Sequence, residues 1–198
     1  MTSTFLARLS RLRWIARWGL KRNISTENVV EHSWEVAVIA HLLANIRNAH
    51  FGGTLDANAI AVAALFHDAS EVLTGDMPSP VKYHSPEITR AYKAIEHQAQ
   101  TEMWQLLPDG LRAAYQPLLL DDAMPAEHHD VIKTADTLSA LLKCRHEMRA
   151  GNREFETALA DISLKAEKLA QTRPEVRYFL DHFEPAFDMT LDELLARR

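Results

Sequence analysis

The sequence predicts an all-α protein, one helical bundle forming a single domain over residues 1–198. Three observations carry this reading. Glycine is scarce, at 6 residues. No stretch shows sustained strand alternation bounded by hairpin turns. Apolar residues instead recur at helical spacing almost throughout. A chain of 198 residues buries one sizeable core, and two domains would stretch it. There is no internal repeat, low-complexity segment or flexible linker.

Taken in order, Phe5 to Ile15 reads as a short helix with Leu6, Leu9 and Leu12 in a stripe, stopped near Gly19. A loop follows through Arg22–Thr26. Asn28, with Glu31 three residues on, is an N-cap pair for a long second helix to about Asn48. Its stripe is Val29, Val36, Ile39, Ala40, Leu43 and Ile46, and His32 falls on it. Asp56 caps a third helix, Ala57 to about Leu73, which Gly75 stops. Within it an unbroken apolar run, Ala59–Phe66, indicates a helix buried on nearly all sides.

Asp76 to His84 contains Pro78 and Pro80 and reads as loop. Ser85-Pro86 opens a helix whose stripe is Ile88, Tyr92, Ile95, Ala99, Met103 and Leu106. A shorter helix, Leu111–Leu120, precedes an acidic loop, Asp121–His129. Val131 to about Met148 is the next strong helix, with Val131, Ala135, Leu138 and Leu142 as its core face. Gly151-Asn152 breaks it, and a polar helix runs to about Gln171. Pro174 opens another helix and the Thr190…Glu193 capping box opens the last. Beyond Gly151 the sequence offers packing and an oligomer surface but no chemistry.

Charge and composition exclude several function classes. A net charge of -5 argues against a general nucleic-acid binder. The first 22 residues carry six cations, Arg8, Arg11, Arg13, Arg17, Lys21 and Arg22, and no acid, which leaves -11 on the remainder. Organellar transit peptides share such a start, but it reads better as an amphipathic helix whose cations face an anionic ligand or an acidic surface. No run approaches the length needed to span a membrane. The single cysteine, Cys144, excludes an internal disulfide framework and suits a reducing compartment, so the expected location is cytoplasmic.

The chemistry-bearing residues stand out by being in the wrong place. The apolar run turns abruptly into His67-Asp68, with Glu71 following. Burying an unpaired carboxylate costs several kcal/mol, so Asp68 requires a cation or donors. His32 sits on an apolar stripe, and Asp136 lies between Ile132 and Ala140 on its helix. Each alone has an ordinary explanation: a hydrogen-bonded core histidine, or an aspartate capping a neighbour or paired with arginine. Four such residues on three apolar helices make the joint coincidence a poor account. Two imidazoles with two carboxylates form a mixed nitrogen and oxygen set suited to a borderline divalent ion. Such a set leaves open positions, as catalytic sites do. Glu71, four residues after His67, would project from the same helix face and exchange a proton with a water on that ion.

His32, then His67-Asp68, then Asp136 resemble the H…HD…D signature of the HD-domain metal-dependent phosphohydrolases. The surrounding text is more specific. RWGLKRNISTENVVEHSWEVA, LFHDASEVLTGDMPSPVKY and KTADTLSALLKC resemble the bacterial HD-domain 5′-deoxynucleotidases over nearly the whole chain. The resemblance implies an HD-type helical bundle whose metal ligands are His32, His67, Asp68 and Asp136. It implies Glu71 as the catalytic glutamate and Arg17, beside Trp18, as the phosphate-orienting arginine. It places Asp76, Met77, Pro78 and Ser79 against the sugar, and His32, Asp68 and Asp136 against the substrate as well as the ion.

The implied reaction removes the 5′-phosphate from deoxyribonucleoside monophosphates in preference to ribonucleotides, whatever the base. The implied cofactor is one divalent transition metal ion, Co2+ or Mn2+, and the implied assembly a cytoplasmic homodimer acting on a small molecule. Two rivals remain: another reaction of the superfamily, phosphodiesterase or nucleoside triphosphate hydrolase, and a non-catalytic module that binds nucleotide and metal to regulate a partner.

Overall fold

A computed structural model describes residues 2–197, whose regular elements are all helices. Helix α1 (Phe5–Leu9) tightens into a 3-10 segment (Ser10–Trp14). There follow α2 (Val29–His50), α3 (Ala57–Ala64) and the short α4 (Glu71–Thr74) and α5 (Ser79–Lys82). Next come α6 (Pro86–Gln105), α7 (Asp109–Leu119) and the 24-residue α8 (Ala126–Arg149). The chain ends with α9 (Glu156–Thr172), α10 (Pro174–His182) and α11 (Leu191–Ala196). Among the described residues the sole β pairing is an isolated bridge between Ala16 and Asn28. No described helix is long and apolar enough to cross a membrane.

Helix α2 is the axis of the main core. Its side chains Val36, Ile39, Ala40 and Leu43 mesh with Ile60 and Ala64 of α3, Ile132, Ala135 and Leu138 of α8, Ala166 of α9 and Val176 and Phe179 of α10. The start of α2 is fixed by the predicted capping box. Asn28 Oδ1 accepts from the amides of Val30 and Glu31 at 3.0 and 3.1 Å, and Glu31 Oε2 accepts from the Asn28 amide at 3.1 Å. Such a cap contributes about 1 kcal/mol. It also sets the register that puts His32 on the buried face. A smaller cluster of Phe5, Ala69, Met103, Leu107 and Leu119 ties α1, α6 and α7 beneath the turn that follows α3.

Several expectations fail in instructive ways. The first helix does not run evenly to Ile15. It changes pitch after Leu9, so Leu6 is exposed while Phe5 and Leu12 are buried. On α6, Ile88 and Ile95 of the expected stripe are exposed, while Tyr92, Ala99 and Met103 are buried. Residues 79–82, read as loop, form α5, and the acidic segment read as loop to His129 enters α8 at Ala126. Val62 and Leu65 are nearly half exposed, so α3 is not buried all round.

The largest departure concerns the third helix, which ends at Ala64 rather than near Leu73. From there the amides of Phe66, His67, Ala69 and Glu71 reach back only three residues, to Ala63, Ala64, Phe66 and Asp68. A local cause is visible. The Ala64 carbonyl, which an α-helix would offer to the Asp68 amide, is taken by the His67 amide and by the His67 ring at 2.8 Å.

Candidate active site

The tightened turn after α3 brings His67 and Asp68 against His32 of α2 and Asp136 of α8. Asp68 Oδ2 lies 3.1 Å from His67 Nε2 and 3.5 Å from His32 Nε2. Asp136 Oδ1 lies 3.2 Å from the same His32 nitrogen. The donor atoms of His32, His67 and Asp68 all fall within 4.8 Å of one another. Asp136 joins the edge of this group through His32.

The ring nitrogens show what the cluster lacks. His67 Nδ1 faces the Ala64 carbonyl at 2.8 Å. A carbonyl only accepts, so Nδ1 carries the hydrogen and Nε2 of the neutral ring keeps its lone pair. Both Nε2 atoms, His67 and His32, are buried without a hydrogen-bond partner. Buried polar atoms are nearly always paired. Two orphaned imidazole nitrogens converging beside a carboxylate fit a divalent cation, and the mixed nitrogen and oxygen set suits a borderline transition ion.

The field at the cluster points the same way. Burial lowers the His32 pKa to about 4, outweighing the pull of the neighbouring Asp136 carboxylate, so its ring is neutral at ordinary pH. Burial also opposes charge on His67, but Asp68 and Asp136 overcome it and raise the pKa. Burial would raise Asp68, yet the His67 ring at 3.1 Å, with His32 and the Arg17 cation close by, holds it well below the usual carboxylate range. Asp136 is likewise held down against its burial, chiefly by the His32 ring 3.2 Å away. The cluster therefore favours a positive charge at its centre.

Glu71 follows in α4. The expectation that it shares a helix face with His67 is not met, because the intervening turn is wound too tightly for that spacing. Burial, with the charges of Asp68 and Asp76, pushes its carboxyl up to about 9. Its Oε2 is buried and unpartnered.

A closed loop, Ile15–Asn28, delivers Arg17 and Trp18. Arg17 Nη1 lies 3.4 Å from Asp68 Oδ2, and its Nε 3.5 Å from Glu27 Oε2. Trp18 has φ 59, a region a bulky side chain rarely enters, and non-glycine residues held there cluster at functional sites. The expected stop at Gly19 thus gives way to a left-handed tryptophan. It is secured by Asp76 Oδ2 accepting from its amide at 3.2 Å, Glu27 Oε2 accepting from its Nε1 at 3.0 Å, and Phe155 with ring centroids 5.3 Å away. Met77 and Pro78, half-buried, lead from Asp76 into α5, and Ser79 is exposed at its first position.

Sequence reasoning missed several groups here. Glu27, which touches Arg17 and Trp18, looked like an ordinary acid before a helix. Lys133, one turn ahead of Asp136, has its pKa raised against burial by Asp136 and Asp68 and adds a cation at the rim. Past Gly151, where the sequence offers packing but no chemistry, Asn152 and Phe155 support the site through the loop that carries Arg17 and Trp18. Asn152 Nδ2 donates to the Arg22 carbonyl and to Glu147 Oε2, each at 2.7 Å. Glu147, fully buried, also accepts from the amides of Ile24 and Ser25 at 2.9 and 3.0 Å, and pairs with Lys143. This network pins the tip of the loop that carries Arg17. Lys82 is committed to Glu96 at 2.7 Å.

Comparison with known proteins gives concordant results. Residues 4–187 match the family described as 5′-deoxynucleotidase YfbR-like. A 5′-deoxynucleotidase of Photorhabdus laumondii is 49% identical over 193 residues, covering 97% of this chain and 96% of its own. The 5′-deoxynucleotidase YfbR of Escherichia coli (strain K12 / DH10B) is 48% identical over 192 residues, again covering 97% and 96%. The fold resembles an HD-domain phosphohydrolase of Listeria innocua, with a TM-score of 0.80 at 24% identity over 93% of this chain and 88% of that one. It also resembles the cyanophage S-2L HD phosphohydrolase, solved with dA and one catalytic Zn2+ ion. There the TM-score is 0.68 at 21% identity, over 93% and 98% of the two chains.

Proposed function

The chain belongs to the YfbR-like 5′-deoxynucleotidase family and is a 5′-deoxynucleotidase, and we propose that it performs this reaction with one divalent ion held by His32, His67, Asp68 and Asp136. The observation that carries the reading is the convergence of two buried, unpartnered imidazole nitrogens beside Asp68. When bound, the ion supplies Lewis acidity toward a phosphate oxygen and a lowered pKa for a coordinated water. Cobalt or manganese is the proposed occupant.

The chain's own residues do the rest. Arg17, a planar cation with paired donors, binds the phosphate through parallel hydrogen bonds and balances charge that grows on its oxygens. Glu71 is the proton-handling group. Its raised pKa lets it hold a proton near neutral pH, and the cationic surroundings of the loaded site free the carboxylate to accept one. Asp76 and Trp18 meet the sugar, with Met77, Pro78 and Ser79 shaping the wall. His32, Asp68 and Asp136 also lie against the substrate.

Asp76 already holds Trp18 in its left-handed conformation, so the two act as one unit. A carboxylate accepting from the 3′-hydroxyl, with the Trp18 loop closed around C2′, gives no room to a 2′-hydroxyl. Selection for deoxyribose follows, with tolerance of the base. The whole of residues 1–198 is proposed to act as a single domain. A cytoplasmic location agrees with the single, buried cysteine, and a homodimer with the exposed apolar side chains of α2 and α3.

The test is phosphate release from matched deoxy- and ribonucleoside monophosphates, with and without cobalt, alongside diphosphates, triphosphates and bis(p-nitrophenyl) phosphate. Release confined to deoxynucleoside monophosphates is the expected result. Preferential cleavage of a triphosphate or diester would replace this reading with another phosphohydrolase activity.

A further inference from the structure

The two nitrogens of the His32 ring face different surroundings. Nε2 faces the cluster, while Nδ1 lies 3.2 Å from Ser139 Oγ, and Ser139 Oγ lies 2.6 Å from Glu35 Oε2. Ser139 is fully buried on α8, three residues beyond Asp136, and Glu35 is on α2, three residues beyond His32. The two helices that supply His32 and Asp136 therefore supply this second contact as well.

A serine hydroxyl has one proton and two close neighbours here. An ionised carboxylate can only accept, and 2.6 Å is the length of a charge-assisted O–H···O bond. The proton thus goes to Glu35, and Ser139 Oγ turns a lone pair toward the ring. His32 Nδ1 must then carry the hydrogen, which leaves the lone pair on Nε2. Glu27 Oε1, 3.9 Å from Nδ1, adds negative charge on the same side and favours the same tautomer. Burial raises the Glu35 carboxyl, and the Ser139 hydrogen bond and the Arg17 charge offset only part of that rise.

We propose that Ser139 and Glu35 are positioning residues that lock His32 as its Nδ1–H tautomer and so present Nε2 to a divalent cation. The inference rests on the metal reading of the site. His67 achieves the same end with a backbone carbonyl, so two differently built supports aim two Nε2 atoms at one point. Partners of this kind commonly alter metal affinity by roughly 10- to 100-fold.

The test uses the full chain freed of metal by chelation, in three forms: wild type, Ser139→Ala and Glu35→Gln. Cobalt affinity is measured by calorimetry, and the His32 tautomer by imidazole nitrogen correlations in NMR. In the metal-free wild type His32 should be Nδ1–H. Ser139→Ala should lose that signature and bind cobalt roughly 10- to 100-fold more weakly. Glu35→Gln, which keeps the hydroxyl and the volume, should weaken binding in the same direction even if Ser139→Ala does not fold. Equal affinity in wild type and folded variants, or an Nε2–H tautomer in the wild type, would overturn the proposal. A wild type that binds no cation would overturn the metal reading itself.

Discussion

The main-chain amide of Trp18 is held by the side chain of Asp76, whose Oδ2 accepts from it at 3.2 Å. This one bond joins the loop that carries Arg17 to the loop that follows Glu71. It also holds a tryptophan in a conformation that costs of order 1–3 kcal/mol to maintain.

Removing that bond should therefore change selectivity more than turnover. For Asp76→Ala, the ratio of kcat/KM for a deoxynucleoside monophosphate to that for its ribo counterpart is expected to fall by roughly 10- to 100-fold. Paired kinetics on the two substrates measure it. An unchanged ratio with unchanged kcat would remove Asp76 from sugar recognition.

Glu71 should separate binding from chemistry. Glu71→Gln is expected to keep metal stoichiometry and nucleotide binding while kcat drops by roughly 10²- to 10⁴-fold. Its protonation supplies an independent readout. The carboxyl holds its proton up to about 9 in the metal-free protein, and a nearby cation favours the ionised form. Cation uptake below that pH should expel a proton from Glu71, so affinity should rise with pH toward 9. Calorimetry in buffers of different ionisation enthalpy counts the protons released. Glu71→Gln should release fewer, and an unchanged count would place Glu71 away from the ion.

Glu147 makes a prediction about stability. Burial alone would raise its carboxyl, but hydrogen bonds from Asn152, Lys143 and the amides of Ile24 and Ser25 bring it from 4.5 to about 2. A depressed carboxylate stabilises the fold fully above its unfolded pKa, and the contribution fades as pH falls through the folded value. Wild type should thus lose stability between about pH 4.5 and 2. In Glu147→Gln this part of the acid limb should be missing. At neutral pH the variant should be about 3–5 kcal/mol less stable, because the buried Lys143 ammonium loses its carboxylate counter-charge and keeps only the Ser25 carbonyl. Urea unfolding across pH measures both effects, and identical acid limbs would contradict the role given to Glu147.

Much of this architecture was legible in advance, for reasons that also mark the limit. Local chemistry wrote the capping boxes at Asn28 and Thr190, the Ser85-Pro86 start and the α2 stripe, and these features are where they were expected. Apolar composition revealed that residues 59–66 face a core, but not the pitch of the chain that follows. There the His67 amide and ring both take the Ala64 carbonyl, a side-chain contact that apolar patterning does not encode. Likewise Ile88 and Ile95 keep helical spacing with Tyr92, yet the neighbouring helices cover only part of that face. His32, His67, Asp68 and Asp136 were conspicuous because each breaks an apolar pattern. Glu27, Glu35, Ser139 and Glu147 break none, since a polar residue near a helix surface is ordinary. Their importance arises only from convergence in space, which spacing along the chain does not encode.

The most direct measurement is phosphate release from a deoxynucleoside 5′-monophosphate by extensively chelated protein, before and after cobalt or manganese is added back. Release should fall to background on chelation and return with either ion, and His67→Ala should fail to recover. Full activity in the chelated protein would contradict a metal-dependent reaction at His32, His67, Asp68 and Asp136.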